Sequence, residues 1–146
     1  MSVTWFSPGP WPWKIGFTDD EKEFRRFLKD FNIEDDSSFV KFEYGGVCHS
    51  YTCKEGLMVI ITLRLPGNAR SAETAGVVVH EVTHAMQELW DYVGETSPGQ
   101  EAEAYTMQQY VTLILADIAE RKKKRRNKKK KPEKAPAQGE LFDKKD

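Results

Sequence analysis

Ser71-Ala72-Glu73-Thr74-Ala75-Gly76-Val77-Val78-Val79-His80-Glu81-Val82-Thr83-His84-Ala85-Met86-Gln87-Glu88-Leu89-Trp90 is the stretch that decides how this chain folds. Ala72, Ala75, Gly76, Val79, Thr83, Met86 and Trp90 recur at three- and four-residue steps, which predicts an amphipathic helix entering a core. Ser71 reads as its N-cap, Glu73 puts negative charge in the first turn, and Gly94 reads as the C′ residue. Val77, Val78 and Val79 are β-branched and poor in an isolated helix, so tertiary packing has to hold them there. Within this helix His80 and His84 stand at i and i+4, on one face and one turn apart, so both imidazoles can reach one ion. They are two of the 3 histidines in the chain. Glu81, one residue round, can take a proton without binding the ion itself. This is the HExxH spacing, two histidine ligands for zinc and a glutamate as general base.

Catalytic zinc ordinarily has three protein ligands and one open position. Ser97-Pro98-Gly99-Gln100 reads as the start of a second helix, with Ser97 as N-cap, Pro98 at N1 and Gln100 at N3. Its apolar stripe is Ala104, Met107, Val111, Ile114, Leu115 and Ile118. Glu101 and Glu103 flank that stripe on opposite sides, and periodicity alone leaves both open as the third ligand.

The stretch from His80 to Gln109 resembles the zincin metallopeptidases whose third ligand is a glutamate on a following helix, the gluzincins. HEVTHAMQELWDYVGETSPGQEAEAYTMQQ is also similar to small HExxH proteins found in bacteriophage genomes. The resemblance implies one zinc per chain held by His80, His84 and Glu101, with Tyr105 in the supporting position where those families place an aspartate. It implies a zinc-dependent metallopeptidase that hydrolyses peptide bonds in a peptide or protein substrate. Zinc would lower the pKa of water and polarise the scissile carbonyl, and Glu81 would move the proton to the leaving amine. Tyr105, Tyr92 and His49 are candidate donors to the oxyanion. The alternative is a non-catalytic zinc-binding scaffold of the same fold, acting as a phage virion-associated or nucleic-acid-tethered interaction protein.

At 146 residues with 39% hydrophobic content, the chain holds material for one domain with a modest core. No apolar run approaches the ~18 residues of a membrane span, and the N-terminus lacks the pattern of a secretory signal. Cys48 and Cys53 are the only cysteines, which points to a reducing compartment without a disulfide framework. The expected location is cytoplasmic: the host cytoplasm for a phage-encoded protein, with virion association as the other reading. A net charge of −1 hides a split: 9 basic and 19 acidic residues up to Glu120, 13 basic and 4 acidic from Arg121 onward. The run over 121–131 is almost unbroken positive charge and suits a non-specific anchor for nucleic acid or another polyanion. A solubility tail, or a tail folding onto its own acidic domain, is the competing reading.

Three sections are therefore expected: a Trp/Pro-rich segment over 1–17, the metallopeptidase-like domain over 18–120, and a basic disordered tail over 121–146, whose first part can instead extend the second helix, where cations favour the helix dipole. Trp5, Trp11 and Trp13, among Pro8, Pro10 and Pro12, should lie in extended or turn-rich chain packed over the core. Thr18-Asp19-Asp20-Glu21 opens a helix whose core face is Phe24, Phe27, Leu28 and Phe31. Strands are expected over 39–44, 47–52 and 57–65, the last two joined by the turn at Cys53-Lys54-Glu55-Gly56. The fold class is α+β: a small antiparallel sheet of about three strands packed on the HExxH helix and on the glutamate-bearing helix after it. By the resemblance, an edge strand would bind extended peptide, with 57–63 as the candidate key strand. Cys48, His49 and Cys53 read as strand packing rather than a second metal site.

Overall fold

Leu57-Met58-Val59-Ile60-Ile61-Thr62-Leu63 is buried at every position, because the strand that carries it is covered on both faces. The computed structural model describes residues 2–7, 12–54 and 56–130. In chain order the elements are β1 (Thr4–Phe6), β2 (Trp13–Thr18), α1 (Glu21–Asp30), β3 (Gly45–Cys53), β4 (Gly56–Arg64), α2 (Ser71–Tyr92) and α3 (Gln100–Lys130). The sheet order is β1-β2-β4-β3. β1 is antiparallel to β2 and β3 is antiparallel to β4, whereas β2 and β4 run parallel. The class is α+β as expected, but the sheet has four strands and is mixed rather than three-stranded and antiparallel.

The side chains of β4 divide by parity. Leu57, Val59, Ile61 and Leu63 join Trp13, Ile15 and Phe17 of β2 under α2 and α3. Met58 and Ile60 face the other way, into Phe24, Phe27 and Leu28 of α1. α2 contributes Val78, Val82, Ala85, Met86 and Leu89 to the first layer, and α3 contributes Tyr110, Ile114 and Ile118. Trp13 closes that layer, its indole donating to the Tyr110 hydroxyl at 3.1 Å and meeting Trp90 edge-on at 5.8 Å. Burial of side chains this large is worth about 1.5–3 kcal/mol each and outweighs the poor helix propensity of the valine run.

Three expectations need correcting. The 39–44 segment is irregular chain, not a strand: consecutive Phe39 and Val40 both enter the core, which breaks the alternation a strand requires, while Phe42 is 77% exposed. The strands missing from the sequence reading are β1 and β2, inside the Trp/Pro-rich segment. Gly16 of β2 lets β1 lie flat, since a Cβ there would meet Val3 at 2.9 Å and Trp5 at 3.0 Å. Phe31 follows α1 as its C-cap and is half exposed, because Asn32 turns the chain with φ 51° and ends the apolar face at Leu28. Trp11 and 131–146 lie outside the described residues.

The helix ends show small shifts of the same kind. α2 starts after Arg70, whose backbone amide is taken by Glu73 at 2.9 Å, so Ser71 is its first residue rather than its cap. Its C-terminus closes at Gly94 (φ 71°), with Gly94 N–H donating to Asp91 O and Glu95 N–H to Trp90 O. α3 begins at Gln100, with Gly99 O accepting from Glu103 N–H in place of the expected serine cap. No break falls at Glu120: α3 runs on to Lys130, and Arg121 is 3% exposed. Residues 121–130 are therefore helix, and the disordered tail expected from 121 does not start there. No helix among the described residues is long and apolar enough to cross a membrane.

Candidate metal centre

His80 and His84 project from the outward face of α2, opposite the core positions Val78, Val82 and Ala85. Their Nε2 atoms stand 3.2 Å apart, with ring planes at 82°. Two nitrogens bound tetrahedrally to one zinc at 2.0–2.1 Å are separated by about 3.3–3.4 Å, so the pair is already spaced as two ligands of one ion. Gln87, one turn on, accepts at His84 Nδ1 through Oε1 at 3.2 Å. With the ring proton held at Nδ1, the Nε2 lone pair of His84 faces the point it shares with His80.

Glu81 leaves the same helix toward β3 and is 5% exposed. Its approach depends on Gly46, where a Cβ would lie 2.5 Å from Glu81 Cγ and 2.7 Å from Leu63 Cδ2. Gly45 and Gly46 begin β3, and Gly46 makes room for the carboxylate. Burial pushes the Glu81 carboxyl above its usual range, against the pull of His80, His84, Lys41 and the Cys48 backbone. A glutamate held this way binds a proton more readily than one in water, which is the property a general base needs.

These groups share one cavity of about 380 Å³, lined on the helix side by His80, Glu81, His84 and Glu88. The facing wall is Gly46, Val47 and Cys48 of β3, with Lys41 and Phe42 from the irregular segment before it. β3 is an outer strand, paired only with β4 among the described residues, so its free edge borders the cavity. The 57–63 stretch, expected as the candidate key strand, lies in the sheet interior as β4, and the outer strand beside the cavity is β3.

Glu101 and Glu103 are exposed in the first turn of α3, and neither lines this cavity. α3 runs back along α2, with its 115–122 stretch beside Ser71–Ala75, which leaves its first turn near the far end of α2. Among the described residues, no group of three or more His, Cys, Asp or Glu side chains is gathered closely enough to hold an ion. Glu88 is the acidic residue besides Glu81 that the cavity does contain. Its spacing, one more turn beyond His84, was available in the sequence as a signal. Lys41, Gly46 and Gln87 also escaped the sequence reading, and for the first two the contacts are made across the fold.

The expected oxyanion donors are elsewhere. Tyr105 is 66% exposed on α3 and Tyr92 closes α2. His49 points to the opposite face of the sheet, against Phe24, with Nε2 3.1 Å from Thr62 Oγ1 and Nδ1 3.3 Å from Ser37 Oγ. Cys48 faces α2, so successive residues of β3 keep Cys48 and His49 apart and rule out a joint ligand set. Burial pushes the Cys48 thiol up to about 12, with Glu81 and Glu88 adding to it. Cys53 packs on the α1 side and donates to Gly56 O at 3.3 Å. No family model, curated protein or solved structure matches this chain.

Proposed function

We propose that the chain is a zinc-dependent metallopeptidase whose metal ligands include His80 and His84 and whose general base is Glu81. The observation that carries this reading is the 3.2 Å approach of two histidine Nε2 atoms beside a buried carboxylate, in a cavity open to the free edge of a strand. Bound there, zinc supplies Lewis-acid polarisation of a carbonyl and a lowered pKa for water. The chain's own residues do the rest. β3, an outer strand among the described residues, offers a wall along which an extended peptide can lie, and Phe42 offers an apolar surface for a substrate side chain. Glu81, desolvated by α2 and β3, accepts the proton of the attacking water and returns it to the leaving amine. Lys41 stands in the same wall as a cation for the oxygen on which negative charge develops.

By the resemblance the third ligand is Glu101; by position in the cavity it is Glu88. The second reading is a zinc-binding scaffold of the same fold without turnover. A peptide-library cleavage assay on the zinc-loaded protein separates the two. The peptidase reading expects cleavage by wild type and at least a hundredfold slower cleavage by Glu81→Gln at unchanged zinc content. Equal cleavage by both proteins, or none by either, contradicts it.

A further inference from the structure

We propose that the groove between the β4–α2 connection and the C-terminal part of α3 binds the phosphate backbone of nucleic acid through Lys122, Arg126 and Lys129. The basic run is not uniform once folded. Arg121 is buried in ion pairs with Glu23 at 2.9 Å and Asp117 at 2.6 Å, and Arg125 grips both oxygens of Asp19 at 2.6 and 2.7 Å. Arg64, on the opposite wall, is paired with Glu21 at 2.8 Å. Lys122, Arg126 and Lys129 line the same groove, are exposed, and have no hydrogen-bond or ion-pair partner among the described residues. At i, i+4 and i+7 they form one row along α3, about 10 Å from first to last.

The groove has a volume of about 450 Å³ and a floor that includes Phe17, Leu63 and Ile118. Among the described residues Asp19 is the one acidic residue lining it, and it is already engaged by two arginines. A row of unpaired cations above a neutralised floor suits a ligand bearing negative charge at regular intervals, as a phosphodiester chain does. An anionic membrane is the poorer fit. Interfacial binding needs apolar side chains projecting on the charged face. Here the apolar residues form the buried floor, and the most exposed large ones, Phe42 and Tyr105, lie elsewhere. Part of the basic run does fold back onto the acidic domain, through Arg121 and Arg125 to Asp19 and Glu23, whereas Lys122, Arg126 and Lys129 are exposed and make no such pair among the described residues. This inference uses no part of the metal site.

Fluorescence anisotropy of a labelled mixed-sequence 20-nucleotide strand, with the full chain at low and moderate salt, tests it. One triple variant reverses the groove row (Lys122→Glu, Arg126→Glu, Lys129→Glu). A control reverses three other cations of the same helix (Lys123→Glu, Lys124→Glu, Lys128→Glu), so both change the net charge equally. The expected result is sequence-independent binding by wild type. The groove variant should lose at least ten times more affinity than the control and flatten the salt slope by about 2–3. Thermal melts that match wild type exclude misfolding of either variant. Equal losses in the two triples, or no binding by wild type at low salt, would overturn the proposal. So would competition by poly-glutamate or phosphatidylserine vesicles as effective as that by unlabelled strand.

Discussion

Gln87 bonds His84 at Nδ1, and Gly46 admits Glu81 from the sheet, though neither brings chemistry of its own. The HExxH spacing puts two histidines on one helix face, but whether they converge depends on neighbours that the spacing does not mention. At this scale the open position is the third ligand. Glu88 already shares the cavity with both histidines, whereas Glu101 lies exposed in the first turn of α3. Zinc affinity measured by competition with a chromophoric chelator should therefore fall at least tenfold in Glu88→Gln and less than threefold in Glu101→Gln. The opposite order would return the ligand to α3, where the resemblance puts it, and would require that first turn to approach α2 when metal binds.

α3 is the element in which sequence and structure part most clearly. Its basic run suggested a solvated tail, but Arg121 ties the helix to the rest of the fold. It donates to Glu23 and Asp117, to Ser2 O at 2.9 Å and to Thr4 Oγ1 at 3.0 Å, and lies over the Phe17 ring. Removing it leaves the buried Glu23 carboxylate without its cation, so Arg121→Ala should cost about 3–5 kcal/mol in urea unfolding. A loss below about 1 kcal/mol would show that the cluster does not hold α3 in place. α2 and α3 were legible as helices because their apolar periodicity is local and long, but the face read for α2 was turned: Ala72, Gly76 and Val79 are exposed, and Val78, Val82, Ala85 and Leu89 are buried with Met86 and Trp90. β1 and β2 were not, because prolines and tryptophans mask a six-residue strand whose pairing partner, β4, lies over forty residues away. The apparent strand over 39–44 failed for the same reason. Its pattern was right locally, but the place beside β4 belongs to β3, and Thr62 fixes Phe39 O instead.

Across the whole molecule, the charge split that looked like a domain boundary is a division of surfaces. The acidic residues lie along most of the chain, while the basic residues are concentrated from Arg121 onward, with Lys122, Arg126 and Lys129 among those lining the groove beside α3. The candidate metal centre occupies the β3 flank of α2, and the basic groove lies beside α3, so each can be altered without the other. The histidine pair and Glu81 were readable from sequence, whereas the cavity around them required the long-range pairing of β3 with β4 and the placement of 41–42. X-ray absorption at the zinc edge, on protein loaded with one equivalent of zinc, tests the central claim most directly. The account predicts a first shell of nitrogen and oxygen at about 2.0–2.1 Å with the outer-shell pattern of two imidazoles, lost in His80→Ala. A shell of sulfur at about 2.3 Å, or protein that takes up no zinc, would contradict it.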